Sequence, residues 1–267
     1  MRKLVVVFLI LAISFGFTPA VKSQSFECPT PKSIMLHSWY GVEGTEKLAQ
    51  SIIENGWVTF TYRQVYEHWD RGQCVSINVL LVSLDDFYSE TDCRDLFAMA
   101  DVFVKYGLVM TLGVVTRPAP FHGAPTLWEK LKAYQDLGFE VASHSVYHGN
   151  ALMLDDQTLE KELRLSFEII CEHLGTCPET YILPYGVGWD YRPLLETARK
   201  YYKSVVSISA PRCYSGDLFV MKRISPGSYS TKRLFEILEE RFSWFASVDS
   251  SKTPSCKLCD LPASFKR

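Results

Sequence analysis

The stretch that decides the fold is "SINVLLVSLDD", residues 76 to 86. It is a long apolar run with little polar alternation. A strand reads this way when both of its faces are buried, as in a parallel sheet covered by helices. The run ends on two adjacent carboxylates, Asp85 and Asp86.

Outward from it, strand-like and helical segments alternate. Upstream, "SIMLHSWY" (33–40) precedes the amphipathic "TEKLAQSIIENG" (45–56), where Asn55-Gly56 makes a helix stop. "VTFTY" (58–62) reads as a strand and "RQVYEHWDRG" (63–72) as a helix. Downstream, helix and strand patterns follow in turn: "CRDLFAMADVFVKYG", "LVMTLGVV", "TLWEKLKAYQDLG" and "FEVASHS". Then comes the long helical "LDDQTLEKELRLSFEIICEHLG" (154–175), with acidic residues in its first turn and Gly175 at its end. "TYILPYG", "KSVVSISA" and "LFVMKRIS" are further strands, "RPLLETARKYY" a further helix, and "TKRLFEILEERFSWFAS" a closing amphipathic helix. Repeated strand–helix units imply parallel strands with right-handed crossovers, hence an α/β barrel or a doubly wound sheet.

The chain has 267 residues, 47% hydrophobic and 13% aromatic, enough for a sizeable core. Charged residues are 22% and the formal net charge is -2, without a dense Lys/Arg cluster. That composition argues against a nucleic-acid partner, which normally meets a basic face. The opening "MRKLVVVFLILAISFGFTPAVKSQS" has the build of a signal peptide: Arg2 and Lys3, an apolar Leu4 to Phe17, then small residues. The division expected is a leader over 1–24, one domain over 25–249, and a polar Cys-containing tail over 250–267. A secreted or extracytoplasmic chain with no stable membrane span after cleavage follows. Eight cysteines lie beyond the leader, and in an exported chain an even count suggests disulfides over free thiols. Their connectivity stays open, with Cys171 and Cys177, and Cys256 and Cys259, the nearest pairs. Oligomeric state is open as well.

Polar residues at the ends of buried strands mark where sites form in parallel α/β folds. Asp85-Asp86 is one such place. Two adjacent carboxylates repel unless a cation or proton is shared. Successive strand side chains point to opposite faces, so both reach one site only if the chain turns. The pair also suits a solvent-exposed turn, or a helix N-cap before "SETDCRDLF". His144 and His148 in "HSVYH" suit a metal that takes neutral imidazoles, or a pair of hydrogen-bonded loop histidines. Leu183-Pro184-Tyr185-Gly186 is a turn that can present a backbone N–H and a ring to a pocket. An Asp and two His leave room for water, as in catalytic zinc sites. Together these are parts for metal-assisted hydrolysis of an amide or ester.

On these residues the sequence resembles the polysaccharide deacetylases, carbohydrate esterase family 4, in the branch with an extended N-terminal half. Ser83-Leu84-Asp85-Asp86-Phe87 is similar to the family's Thr-Phe-Asp-Asp-Gly, "HSVYH" matches His-Ser/Thr-x-x-His, and "ILPYG" resembles Arg-x-Pro-Tyr-Gly. The resemblance spans roughly residues 32 to 225. It implies a distorted (β/α) barrel with fewer than eight strands, a divalent metal such as zinc, and an acetylated polysaccharide as substrate. By the same resemblance Asp86, His144 and His148 are ligands, Asp85 the general base, and Tyr185 a backbone contributor to the oxyanion hole. The chain departs from the family in four ways. Ile182 replaces the motif arginine that orients the base, and Phe87 replaces a glycine. No Asp-x-x-Asp-Trp motif occurs, and no histidine follows His173 to serve as general acid. His37, ending the first strand, and the more distant His122 are the candidates for that acid; each also reads as a packing or loop residue. Trp189 and Tyr147 are candidates to stack on sugar rings. A binding-only relative and an amide hydrolase with a non-sugar substrate are the alternatives.

Overall fold

β3 (Val79–Phe87) is the longest strand of the computed structural model, and eight of its nine residues are buried. It pairs in parallel with β1 (Lys32–Leu36) on one side and with β4 (Thr111–Val114) on the other. From β4 the ladder runs through β5 (Glu140–Ser143), β6 (Thr180–Ile182), β7 (Ser204–Ser207) and β9 (Leu218–Lys222), every pairing parallel. Just past β9, Ile224 bridges back to Ile34 of β1, with Met35 N–H donating to the Ile224 carbonyl at 3.0 Å and Ile224 N–H to that of Ser33 at 2.8 Å. The ladder is therefore a distorted barrel of seven parallel strands, its seam spanned by this one bridge. β2 (Val58–Phe60) pairs only the start of β3, and β8 (Cys213–Ser215) flanks β9 antiparallel. The described residues are 31–88, 93–117, 125–208, 213–215, 218–227 and 231–246, with backbone alone at 213–215, 218–219 and 239–246. The leader, the tail and His122 lie outside them.

Among the described residues seven α-helices pack around the barrel or across its end: α1 (Gly41–Glu54), α2 (Tyr62–Asp70), α3 (Arg94–Lys105), α4 (Pro125–Asp136), α5 (Asp156–Leu174), α6 (Arg192–Ala198) and α7 (Thr231–Ala246). Local chemistry sets their ends. α2 starts in a capping box formed by Thr61 and Gln64. Asp155 caps α5, and Gly175, at φ 66°, ends it in the left-handed conformation that glycine adopts without penalty. α1 stops before Asn55-Gly56 as the sequence implies. α6 ends four residues earlier than its sequence pattern. Tyr202 turns inward, where its hydroxyl donates to the Leu163 carbonyl at 2.8 Å and it contacts Ser166.

Alternate strand residues fill the barrel. Leu81, Ala142, Ile182, Val206 and Met221, from five strands, pack together with Tyr62 and Val65 of α2. Since Val79 and Glu140 at strand beginnings meet α2, that helix closes the amino end. The outer faces of the strands pack under α1, α3, α4, α5 and α7 in a larger core. By the period of two, Ser83 and Asp85 share the inward face of Leu81 and sit nearer the open carboxyl end.

Cys171 and Cys177 form a disulfide across the end of α5, and Cys74 is disulfide-bonded too. Cys93 departs from the expectation of disulfide pairing: it is a buried thiol outside the disulfides, beneath the end of β3, accepting from Tyr88 N–H at 3.3 Å. No helix among the described residues is long and apolar enough to cross a membrane.

Candidate active site and metal centre

The turn that the sequence required at Asp85-Asp86 is present. The register between β3 and β4 shifts between Leu84 and Phe87, and Asp86 takes φ 74°. This bulge carries both carboxylates to one site, where a regular strand would part them. Phe87 then resumes the strand and is fully buried against Phe97, so the family's glycine is replaced by a core residue. Neither the exposed turn nor the helix cap holds: Asp85 has no exposed surface, and Cys93 precedes α3.

Among the described residues five non-glycine positions have left-handed backbone, and four of them surround this point: Asp86, Ser145, His148 and Tyr185. Such conformations cost roughly 1–3 kcal/mol each and persist where surrounding structure fixes them. Here the fixing is visible. His148 N–H donates to Ser145 Oγ at 2.8 Å, and the Glu162 carboxylate of α5 accepts from the Val146 and Tyr147 amides at 3.0 and 3.1 Å. Glu162 thus ties down the backbone between the two histidines.

The histidine pair converges on Asp86. His144 Nε2 lies 3.5 Å and His148 Nε2 3.4 Å from Asp86 Oδ1, and the potential ligand atoms all fall within 4.8 Å of one another. His144 is buried and its Nδ1 contacts the Ile182 carbonyl at 2.8 Å, which makes Nδ1 the donor. Its Nε2 then presents a lone pair into the site and, though buried, makes no hydrogen bond. A buried acceptor without a partner, aimed at a carboxylate and a second imidazole, fits a divalent metal that takes nitrogen and oxygen ligands. The Asp86 carboxyl is shifted down despite its burial, and burial pushes His148 down.

Asp85 faces a different partner, one the sequence did not reveal. Arg223, just past β9 and itself buried, forks onto it: Nη1 to Oδ1 at 2.8 Å and Nη2 to Oδ2 at 2.7 Å, with Nη1 also donating to Ser83 Oγ at 2.7 Å. Burial alone would raise the Asp85 carboxyl; the charge and hydrogen bond of Arg223 lead the opposing effects, and the net places it below the usual carboxylate range. Ile182, at the motif arginine's position, is packed in the barrel interior. Gly113 makes room for the pair, since a Cβ there would stand 3.1 Å from Asp85 Oδ1.

His37 closes the cluster from β1, its Nε2 3.7 Å from Asp86 Oδ2 and 4.0 Å from Asp85 Oδ2. Tyr185, in the turn after β6, sets its ring 4.8 Å from that of His148. Met35, Leu183, Gly186 and Ile208 complete a cavity of about 140 Å³ with these residues. Of the two candidate stacking rings, Tyr147 is exposed, whereas Trp189 is part-buried against the α5–α6 core.

This is a parallel α/β barrel with a carboxylate–imidazole cluster and a second buried carboxylate at its carboxyl mouth, the end where sites form in such folds. Residues 72–204 match the family model for polysaccharide deacetylase. Similar solved structures include the Streptococcus pyogenes deacetylase PplD in complex with acetate, with TM-score 0.64 at 15% identity over 79% of this chain and 99% of that one. IcaB from Ammonifex degensii has TM-score 0.63 at 16% identity over 78% and 97%. BC0361, a polysaccharide deacetylase from Bacillus cereus, has TM-score 0.61 at 14% identity over 79% and 69%. No curated protein matches the sequence. The chain belongs to the polysaccharide deacetylase family.

Proposed function

We propose that the chain is an exported, metal-dependent hydrolase that removes acetyl groups from an acetylated polysaccharide, by amide or ester cleavage. The observation that carries this reading is the β3 bulge, which sets two carboxylates of unlike environment beside the histidine pair. Asp86, His144 and His148 would hold a divalent metal, for which zinc suits the ligand set. When bound, that metal would polarise the acetyl carbonyl and acidify a water.

The chain's own groups supply the rest. Asp85 is the base that takes the proton of the attacking water as its oxygen bonds to the acetyl carbon. Arg223, itself bonded to Ser83, holds that carboxylate ionised and aimed. The Tyr185 backbone N–H donates to the developing oxyanion, a group typically worth about 10²–10³ in rate. His37 gives a proton to the departing nitrogen or oxygen as its bond to the acetyl carbon breaks, releasing acetate. Met35, Leu183 and Ile208 offer an apolar wall for the acetyl methyl.

Arg223 and His37 stand beside the base where the missing motif arginine and acid would be needed, which supports turnover over the binding-only alternative. The apolar leader and the Cys171–Cys177 disulfide support export. The test is acetate release from a panel of acetylated glycans by metal-stripped and zinc-reloaded protein. Release that returns with zinc and is absent in Asp85→Asn is expected. Release insensitive to chelation would overturn the metal-dependent reading.

A further inference from the structure

The turn that carries the Tyr185 amide is held in a conformation it would not take unaided. Tyr185 and Gly186 are both left-handed, at φ 59° and 64°. For a tyrosine that backbone persists only where neighbours fix it. Its own ring, 59% exposed, offers little anchorage, whereas Pro184 and Gly186 on either side are buried. The anchorage comes from the end of β7. Ser207 is fully buried, and its Oγ donates to the Gly186 carbonyl at 2.6 Å. Ile208 packs so closely that a Cβ on Gly186 would stand 2.3 Å from Ile208 Cγ1. At the start of the turn, Leu183 N–H donates to the Val206 carbonyl at 2.9 Å. Both ends of the turn are therefore tied to β7, and at Gly186 the tie is a side chain.

Ser207 also meets the other half of the site. Its carbonyl accepts from Arg223 N–H at 2.8 Å, and the Arg223 guanidinium forks onto Asp85. One residue thus holds the turn by its side chain and the arginine of the base by its backbone. Val206 packs in the barrel interior, so Ser207, one position on, faces away from it and is not among the residues that line the cavity. It acts on the site only through what it holds.

We propose that Ser207 is a positioning residue, which sets the Tyr185 amide relative to the Asp85 carboxylate through the Gly186 carbonyl. This rests on the deacetylase reading above, in which that amide meets the oxyanion. The attacking oxygen and the oxyanion sit on one carbon, so the base and the donor must keep a fixed separation. A displacement on the order of 1 Å can cost about 10²-fold in rate. Without the Ser207 hydroxyl the buried Gly186 carbonyl loses a donor, and the turn is free to relax toward unstrained backbone. The amide then points away from where the charge develops. That loss falls on the transition state and spares substrate binding, because Ser207 touches neither.

The experiment compares zinc-loaded wild type, Ser207→Ala and Ser207→Thr on N-acetylated and O-acetylated oligosaccharides and on the small ester 4-nitrophenyl acetate. Zinc content and melting temperature are recorded for each. Methylphosphonate, a tetrahedral anion that carries the acetyl methyl, is titrated by calorimetry as a mimic of the adduct. Ser207→Ala should lower kcat about tenfold on every substrate that wild type cleaves, less than the 10²–10³ typical of losing an oxyanion donor outright. It should leave KM and zinc content within about twofold and weaken methylphosphonate about tenfold. Ser207→Thr, which keeps the hydroxyl, should recover most of both losses. Unchanged kcat and methylphosphonate affinity in Ser207→Ala would overturn the role, as would a fall in kcat matched by lost zinc. Methylphosphonate weakened by Ser207→Ala, with no acetate released by any form, would uphold the anchorage and overturn the deacetylase reading. Equal methylphosphonate affinities and no release would overturn both.

Discussion

Asp85 and Asp86 are neighbours whose environments differ in kind. Asp85 is fully buried and forked by a guanidinium; Asp86 is half-buried and faces two imidazoles. That difference divides the proposed labour, because the carboxylate already neutralised by Arg223 is not the one left to face a cation. A buried ion pair is costly to break from one side, about 3–5 kcal/mol. Arg223→Met should therefore lower the unfolding free energy by about that amount, and adding Asp85→Asn should recover much of it by removing the stranded charge. Urea unfolding of the two single variants and the double variant checks this; additive losses would contradict the pairing. The two site histidines and both aspartates are legible in sequence because they lie in short motifs. Arg223 is not, because it stands 138 positions from its partner and only barrel closure brings them together.

At the scale of elements, the bulge in β3 and the reach of α5 shape the site. The sequence shows that Asp85 and Asp86 need a turn but not that a β-bulge supplies it. The long helix after the histidines is equally legible, yet nothing in its pattern singles out Glu162 as the residue turned inward to the Val146 and Tyr147 amides. Groups that orient metal ligands typically matter by 10–100-fold in affinity, so Glu162→Ala should weaken zinc binding by about that factor. Glu162→Gln, which keeps an acceptor oxygen, should weaken it far less. Competition titration with a zinc-binding dye reads both variants, and equal affinities for Glu162→Ala and wild type would contradict the role.

The whole molecule divides its polar groups between two ends of one barrel. The carboxyl mouth holds the ionisable cluster. The amino end is floored by Glu140, whose carboxyl accepts from Arg63 N–H at 3.0 Å and Thr111 Oγ1 at 3.1 Å. Burial pushes the Glu140 carboxyl up, against the pull of Thr180 and Arg63. A carboxyl raised in the folded state contributes stability that is full below its unfolded value and is lost as pH rises through its folded value. Replacing Glu140 by Gln removes that loss. The melting temperature of Glu140→Gln should therefore gain on wild type as pH rises from about 4 to about 8. Calorimetry at a series of pH values measures the gap; a gap independent of pH would contradict the account. The α/β class and nearly every element are legible in sequence, because alternating apolar runs dictate a covered parallel sheet; the barrel form, as against a doubly wound sheet, is legible only through the family resemblance. Closure through Ile34 and Ile224, which brings β1 and His37 beside the aspartates, depends on contacts between the two ends of the domain and has no local signature.

The most direct test of the site is the zinc content of purified Asp86→Asn and Asp85→Asn after equilibrium dialysis, with acetate release assayed on the same samples. The account predicts that Asp85→Asn retains about one zinc per chain and releases no acetate, while Asp86→Asn loses the zinc. Zinc retained by Asp86→Asn and lost by Asp85→Asn would contradict the division of labour between the two carboxylates.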